Sequence, residues 1–282
     1  MHTPLSVEQC LLEARRFGLT PLEAEAILLK ILGKPLEDRA WLRAHGGDAL
    51  AHSQRQAYQA HCKRRTNGEP LAYITGQRGF FGLDLHVDAR VLDPRPDTET
   101  LVEWALDVLA TLAQPRAADL GTGSGAIALA IQHHCPHATV WGVDASADAL
   151  VVAQANALRL NLPVHFTHGS WCAPLGTGWD LVVSNPPYIA ENDPHLPALR
   201  HEPKQALISG LDGLDDLRHI VAHTPYCLAP GGWLLLEHGF DQGQAVHQLL
   251  LNQGFDQVQS RQDLGGHVRC TGGQWPIQAK AG

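Results

Sequence analysis

Asp119-Leu120-Gly121-Thr122-Gly123-Ser124-Gly125 lies between a short apolar run, residues 117–120, and a longer one, residues 125–134. The first run has the length of a strand and the second the spacing of a helix. Glycines at alternate positions let the chain turn sharply between them and bring its backbone against a ligand without side-chain obstruction. The next predicted strand, residues 138–143, is followed by Asp144, a carboxylate placed to bind ribose hydroxyls. Strand, glycine turn, helix, strand and acid in that register describe a nucleoside site. Gly121-x-Gly123-x-x-Ala126 also fits the relaxed dinucleotide fingerprint, so hydride transfer stays open at this point. Asp119, two residues ahead of the first glycine, favours instead a ligand that carries a cationic amine.

Outward from this stretch, strand and helix alternate. Helices are expected at 147–158, 214–228 and 243–252, and strands at 164–167, 180–184, 232–237, 255–259 and 268–271. Such alternation predicts an α/β fold: an open, mostly parallel sheet with helices on both faces. Ligands of such sheets bind beyond the carboxyl ends of the strands. A second island, Ser184-Asn185-Pro186-Pro187-Tyr188, leaves one of those ends after the apolar Leu181-Val182-Val183.

Two prolines fix φ and remove two N–H donors, which leaves a stiff loop rich in acceptors. The Asn185 side-chain oxygen and the Pro186 carbonyl can both accept from one –NH2 group, and Tyr188 offers a flat wall. A carboxamide nitrogen is a poor nucleophile because its lone pair is delocalised. Two acceptors that hold its N–H bonds can aim that lone pair at an electrophile, with no strong base needed beforehand. The work is orientation and electrostatics. Beside a nucleoside site, this corner points to methyl transfer onto nitrogen, with Asn185, Pro186 and Tyr188 as the catalytic residues.

The first seventy residues read as helices. Ser6 with Gln9, and Thr20-Pro21 with Glu23, have the spacing of capping boxes. A further helix over 53–67 ends in Lys63-Arg64-Arg65, which suits the negative end of a helix. Residues 80–87 alternate as one strand of a connecting hairpin, and helix resumes over 97–113. The expected division is a helical domain at 1–72, a hairpin linker at 73–96 and a catalytic domain at 97–282.

The 282 residues, 44% of them apolar, suffice for these units, and no apolar run approaches the about 20 residues that span a bilayer. The opening residues lack a basic leader followed by an apolar stretch, so a cytoplasmic enzyme is expected. Six dispersed cysteines read as reduced thiols. His133-His134-Cys135-Pro136-His137 has no second ligand cluster at matching spacing, so no metal site is expected. Lys and Arg number 11 against 10 Asp and Glu through residue 88, and 10 against 19 beyond it. That acidic excess disfavours a long phosphate-backbone footprint.

The chain resembles the peptide chain release factor glutamine methyltransferases (the PrmC/HemK family) over nearly its whole length. The stretches that carry the likeness are Gly68 to Tyr73, Pro94-Arg95-Pro96-Asp97-Thr98-Glu99, Asp119 to Ala130, Asn185 to Ile189, Glu202-Pro203 and Leu234 to Gly239. Asn-Pro-Pro-Tyr alone is shared with adenine-N6 methyltransferases; the Pro-Arg-Pro-Asp-Thr-Glu segment is the discriminating one. The resemblance implies a seven-stranded, Rossmann-like class I methyltransferase sheet and a helical N-terminal domain that helps dock the substrate. It implies S-adenosyl-L-methionine as donor and, as acceptor, the glutamine of the Gly-Gly-Gln tip of release factors, methylated on N5. Asp119, Gly121, Thr122, Gly123, Ser124, Gly125, Asp144, Trp171 and Asn185 are then the expected cofactor residues. Leu92, Arg95, Glu99 and Asn185 to Tyr188 (with Pro186 and Pro187) are the expected substrate residues. Ser170, where the family often has an acid, and Asp93, in place of a usual aliphatic, depart from the pattern. The alternatives are glutamine methylation of a ribosomal protein and N6-adenine methylation of nucleic acid; neither a membrane nor a nucleic-acid substrate is expected. Gly272-Gly273-Gln274 repeats the substrate tripeptide inside this chain, which reads as coincidence.

Overall fold

A computed structural model describes residues 5–277. The chain divides into two compact units between Gln77 and Arg78.

The smaller unit holds helices α1 (Val7–Arg16), α2 (Pro21–Ile31), α3 (Arg39–Ala44), α4 (His52–Thr66) and α5 (Leu71–Thr75). Both expected capping boxes form. Ser6 accepts from the Gln9 amide while Gln9 returns a bond to the Ser6 amide, and Thr20 and Glu23 do the same. Each box satisfies two of the N–H groups a helix start leaves open. Cys10, Ile27, Leu28, Tyr58 and Cys62 meet in the core of the unit. Two members of the basic triplet have specific partners: Arg64 pairs with Glu69 and Arg65 with Glu23.

The larger unit opens with a hairpin, β1 (Arg78–Phe80) and β2 (Leu83–Leu85). Residues 80–87 are therefore not one strand. Phe81 and Gly82 make the turn, with Phe81 in the left-handed region at φ +46°. The hairpin belongs to this unit and is fastened to it: the Phe81 amide donates to Glu99, and Asn156 brackets the His86 backbone with a donor and an acceptor.

There follow α6 (Glu99–Leu109), β3 (Arg116–Leu120), α7 (Ala126–His134), β4 (Thr139–Asp144), α8 (Ala147–Leu160), β5 (His165–His168), β6 (Trp179–Ser184), α9 (Asp215–His223), β7 (Leu228–Glu237), α10 (Gly243–Gln253), β8 (Asp256–Gln262) and β9 (Val268–Gln274). The seven-stranded sheet has the order β5-β4-β3-β6-β7-β9-β8. Its first five strands are parallel; β9 runs antiparallel to β7, and β8 to β9. One face is sealed by Ala118, Leu120, Val182, Leu234 and Leu236 against Leu217, Ile220 and Val221 of α9 and Val246 and Leu250 of α10. Helix 214–228 of the expectation stops at His223, and residues from Leu228 instead begin β7.

Gly272 and Gly273 lie within β9. A Cβ on Gly272 would stand 2.5 Å from a Leu235 methyl and 3.1 Å from the Trp104 ring, so close packing accounts for this glycine. Gln274 donates its side-chain nitrogen to the Gly231 carbonyl. No helix among the described residues is long and apolar enough to cross a membrane. All six cysteines are free thiols, and no cluster of His, Cys, Asp or Glu among the described residues is arranged to hold a metal.

Candidate active site

β3 and β6 are neighbours, and Leu120 stands opposite Ser184 at their carboxyl ends. The buried Ser184 hydroxyl donates to the Leu120 carbonyl at 2.7 Å, which ties the two strand ends together. The glycine turn and the Asn-Pro-Pro-Tyr corner therefore start side by side.

Between them lies a cavity of about 550 Å³. Gly121, Gly123, Asp144, Ser170, Trp171, Asn185, Pro187 and Leu92 line it. A smaller cavity of about 140 Å³ adjoins, lined by Leu92, Arg95, Asn185, Tyr188, Leu199 and Leu207 among others. Leu92 and Asn185 face both. That shared wall is the central geometric fact of the site.

At the glycine end, Gly121, Gly123 and Gly125 all have positive φ. The Trp171 ring lies over the turn: a Cβ on Gly121 would come within 3.3 Å of it. Trp171 itself is held at φ +48°, a strained conformation for a large side chain. Asp144 accepts from the Gly123 and Ser146 amides, both at 2.8 Å, so it bridges the two loops and still keeps lone pairs for a ligand.

Four of the expected cofactor residues do not line the cavity. Asp119 is fully buried; one oxygen accepts from the Thr122 hydroxyl at 2.6 Å and the Ala128 amide at 3.2 Å. Its other oxygen has no partner. Burial pushes its pKa up to about 7. Thr122 thus serves Asp119, the buried Ser124 offers its carbonyl to Asn156, and Gly125 caps α7 against Leu129. Strand-end spacing located these residues correctly in the turn; it does not say which of them turn their backs to the cleft.

At the other end, Asn185 donates through Nδ2 to Thr98 Oγ1 at 3.2 Å. The Tyr188 hydroxyl points at Glu237, 3.5 Å away, and burial raises the pKa of Tyr188. Arg95 is anchored by Glu202 at 2.5 Å and by Asp93 at 3.6 Å. The departure at Asp93 has a use here, because this buried acid also pairs with Arg78. Pro186 is buried and lines neither cavity, while Pro187 lines the larger. Glu99 lines neither cavity. At the start of α6 it accepts from the Phe81 amide at the hairpin turn. Thr98, Glu202 and Glu237 also belong to this end of the site; their partners, Asn185, Arg95 and Tyr188, lie too far along the chain for spacing to reveal them.

Comparison with known proteins finds relatives over most of the chain. The family model of the PrmC N-terminal domain matches residues 7–76, and that of the methyltransferase small domain matches residues 98–206. A release factor glutamine methyltransferase of Xylella fastidiosa (strain Temecula1) is 50% identical over 94% of this chain and 97% of its own. That of Vibrio cholerae is 45% identical over 92% and 91%. A methyltransferase crystal structure from Pyrococcus furiosus, 17% identical, covers 78% of this chain and 98% of its own with a TM-score of 0.53, and so shares the fold. With half its residues shared over almost the full length of such relatives, the chain belongs to the release factor glutamine methyltransferase family.

Proposed function

We propose that the larger cavity binds S-adenosyl-L-methionine and the smaller one the glutamine side chain from the Gly-Gly-Gln tip of a translation release factor, which is methylated on N5. The observation that carries this reading is that Asn185 and Leu92 face both cavities. A side-chain amide in the small one therefore meets the ligand of the large one at Asn185.

The residues fit such a cofactor. Gly121 leaves open the space under Trp171 that a Cβ would fill, and behind the turn the buried Asp119 keeps one oxygen without a partner. Asp144 takes the ribose hydroxyls and Trp171 the adenine. Bound there, the group supplies an electrophilic methyl on a cationic sulfur. The protein orients the nucleophile: Asn185 Oδ1 accepts from the substrate amide, and the proline corner beside it, whose Pro187 lines the larger cavity, holds that acceptor so that the nitrogen lone pair faces the methyl. Tyr188 and Leu92 flank the amide and its stem, with Arg95 at the cavity wall. The amide proton leaves after nitrogen becomes cationic, and no strong base is required. The helical unit serves to dock the factor, and the reaction belongs in the cytoplasm, where release factors act.

The test is transfer of labelled methyl to purified release factor, compared with a factor whose tip glutamine is replaced by alanine. Label on the native tip alone supports the reading. Equal label on both, or preferential label on a ribosomal protein or nucleic acid, overturns it.

A further inference from the structure

The corner that carries Tyr188 is stiffened by its own sequence on the entry side alone. Pro186 and Pro187 fix φ ahead of Tyr188, and no proline follows to fix the backbone that leaves it. The peptide unit after Tyr188 is held from elsewhere in the chain. Its N–H, on Ile189, donates to the Leu207 carbonyl at 2.9 Å. Its carbonyl, on Tyr188, accepts from Gln242 Nε2 at 3.0 Å, a partner 54 positions away. Tyr188 lines the smaller cavity and not the larger.

Gln242 stands just ahead of α10, and its side-chain amide can face only one way. Oε1 accepts from the Gly239 amide at 2.8 Å, and a backbone N–H can only donate. Nε2 is thereby turned toward carbonyls, which can only accept: Tyr188, Gly213 at 3.4 Å and Asp212 at 3.5 Å. One –NH2 group serves all of them, and its removal leaves acceptors that have lost their donor. The space is close: a Cβ on Gly213 would stand 2.2 Å from the Tyr188 oxygen and 2.8 Å from Nε2.

The other end of this tie is anchored in the sheet. The Gln242 backbone amide returns a bond to the Gly239 carbonyl at 2.9 Å, and the same carbonyl meets His238 Nδ1 at 2.8 Å. A carbonyl has no proton to give, so Nδ1 carries the hydrogen; in the neutral ring Nε2 then accepts from the Thr271 hydroxyl of β9 at 2.8 Å. Bonds of settled direction thus run from Thr271 through His238, Gly239 and Gln242 to the Tyr188 carbonyl.

We infer that Gln242 is a positioning residue for the methyl transfer: its –NH2 group, through the Tyr188 carbonyl, sets where the Tyr188 side chain stands against the substrate amide. The inference rests on the reading of Tyr188 as a wall of the glutamine cavity. Gln242 itself lines neither cavity.

The experiment measures steady-state methylation of intact release factor, with cofactor affinity by calorimetry, for wild type, Gln242→Met, Gln242→Glu, Gln242→Lys and Asn185→Ala. Gln242→Met should lose about tenfold or more in kcat per folded molecule, as misplacement near the reacting atoms does, with cofactor Kd within about twofold of wild type. A variant that merely weakened the fold would lower Tm and leave that rate unmoved. Gln242→Glu keeps the acceptor for Gly239 but sets a carboxylate against the Tyr188 carbonyl, whereas Gln242→Lys can only donate. The lysine variant should therefore retain more of the rate than the glutamate variant. A crystal structure of Gln242→Met, which needs no substrate, should show the Tyr188–Ile189 peptide turned from its wild-type direction. A wild-type rate in Gln242→Met, a glutamate variant faster than the lysine one, or an unmoved peptide overturns the inference. Should Gln242→Met not fold, the order of the glutamate and lysine variants decides. Activity in Asn185→Ala would sink the parent reading instead, whatever the Gln242 variants do.

Discussion

Gly121 and Gly123 leave β3 at φ +71° and +54°, whereas one strand away Asn185 leaves β6 into two prolines. The two ends of the cleft are shaped by opposite means. At the glycine end, freedom from Cβ creates the space, and the contacts that shape it come mostly from within the turn and the next strand: Thr122 on Asp119, Gly123 on Asp144. At the proline end the backbone is stiff, and side chains far along the sequence set the functional groups. Thr98 is 87 positions from its Asn185 partner, and Glu202 is 107 from Arg95. The difference teaches that ligand space can be encoded locally, while the direction of a hydrogen bond in that space is encoded at a distance.

That contrast predicts separable losses. The largest is expected for Asn185→Ala. It should cut methyl transfer by roughly 10²–10³-fold, as loss of a preorganised polar group does, while calorimetry shows nearly unchanged cofactor affinity. Equal loss of both would mean that the two ends are not distinct. Gly121→Ala should give the opposite split. A left-handed alanine costs roughly 1–2 kcal/mol, and its methyl presses on Trp171, so cofactor Kd should rise about tenfold while KM for the release factor stays close to wild type. Comparable changes in the two constants would merge the ends again.

Asp119→Asn sharpens the comparison through stability. A buried acid whose folded pKa is raised stabilises the fold fully below its unfolded value and loses that contribution as pH rises through the folded one. For Asp119 the window runs from 3.8 to about 7. Ligand-free wild type should therefore fall in Tm across it. Asparagine can still accept from Thr122 and should flatten part of the fall by a few degrees, Glu237 supplying the remainder with the same sign. An unchanged Tm profile by differential scanning fluorimetry would mean that Asp119 does not titrate there.

The smallest effect on chemistry is expected for Gly272→Ala. The added methyl meets Leu235 and the Leu234 carbonyl, so overpacking should cost about 1–3 kcal/mol in denaturant unfolding. The rate per folded molecule should not change.

What could be read from the chain follows the same division. The capping boxes at Ser6 and Thr20 and the alternation from β3 to α10 are local signals, and they were legible. The hairpin was blurred because its turn uses Phe81 in a conformation that normally calls for glycine. The antiparallel insertion of β9 between β7 and β8 is a long-range pairing that alternation does not encode. At the site, Gly121, Asp144, Trp171, Leu92, Arg95, Asn185, Pro187 and Tyr188 all reach a cavity wall. Asp119, Thr122, Ser124 and Gly125 build the turn from behind. Glu99 meets the Phe81 amide, a partner 18 positions upstream.

The claim on which the account depends is that Asn185 presents its oxygen to a glutamine amide in the small cavity. A crystal structure with S-adenosylhomocysteine and a release factor, or a peptide of its Gly-Gly-Gln tip, tests this directly. The account predicts the glutamine nitrogen within hydrogen-bond distance of Asn185 Oδ1, with Asn185 Nδ2 still on Thr98 Oγ1. A glutamine seated elsewhere, or an Asn185 amide turned the other way round, would contradict it.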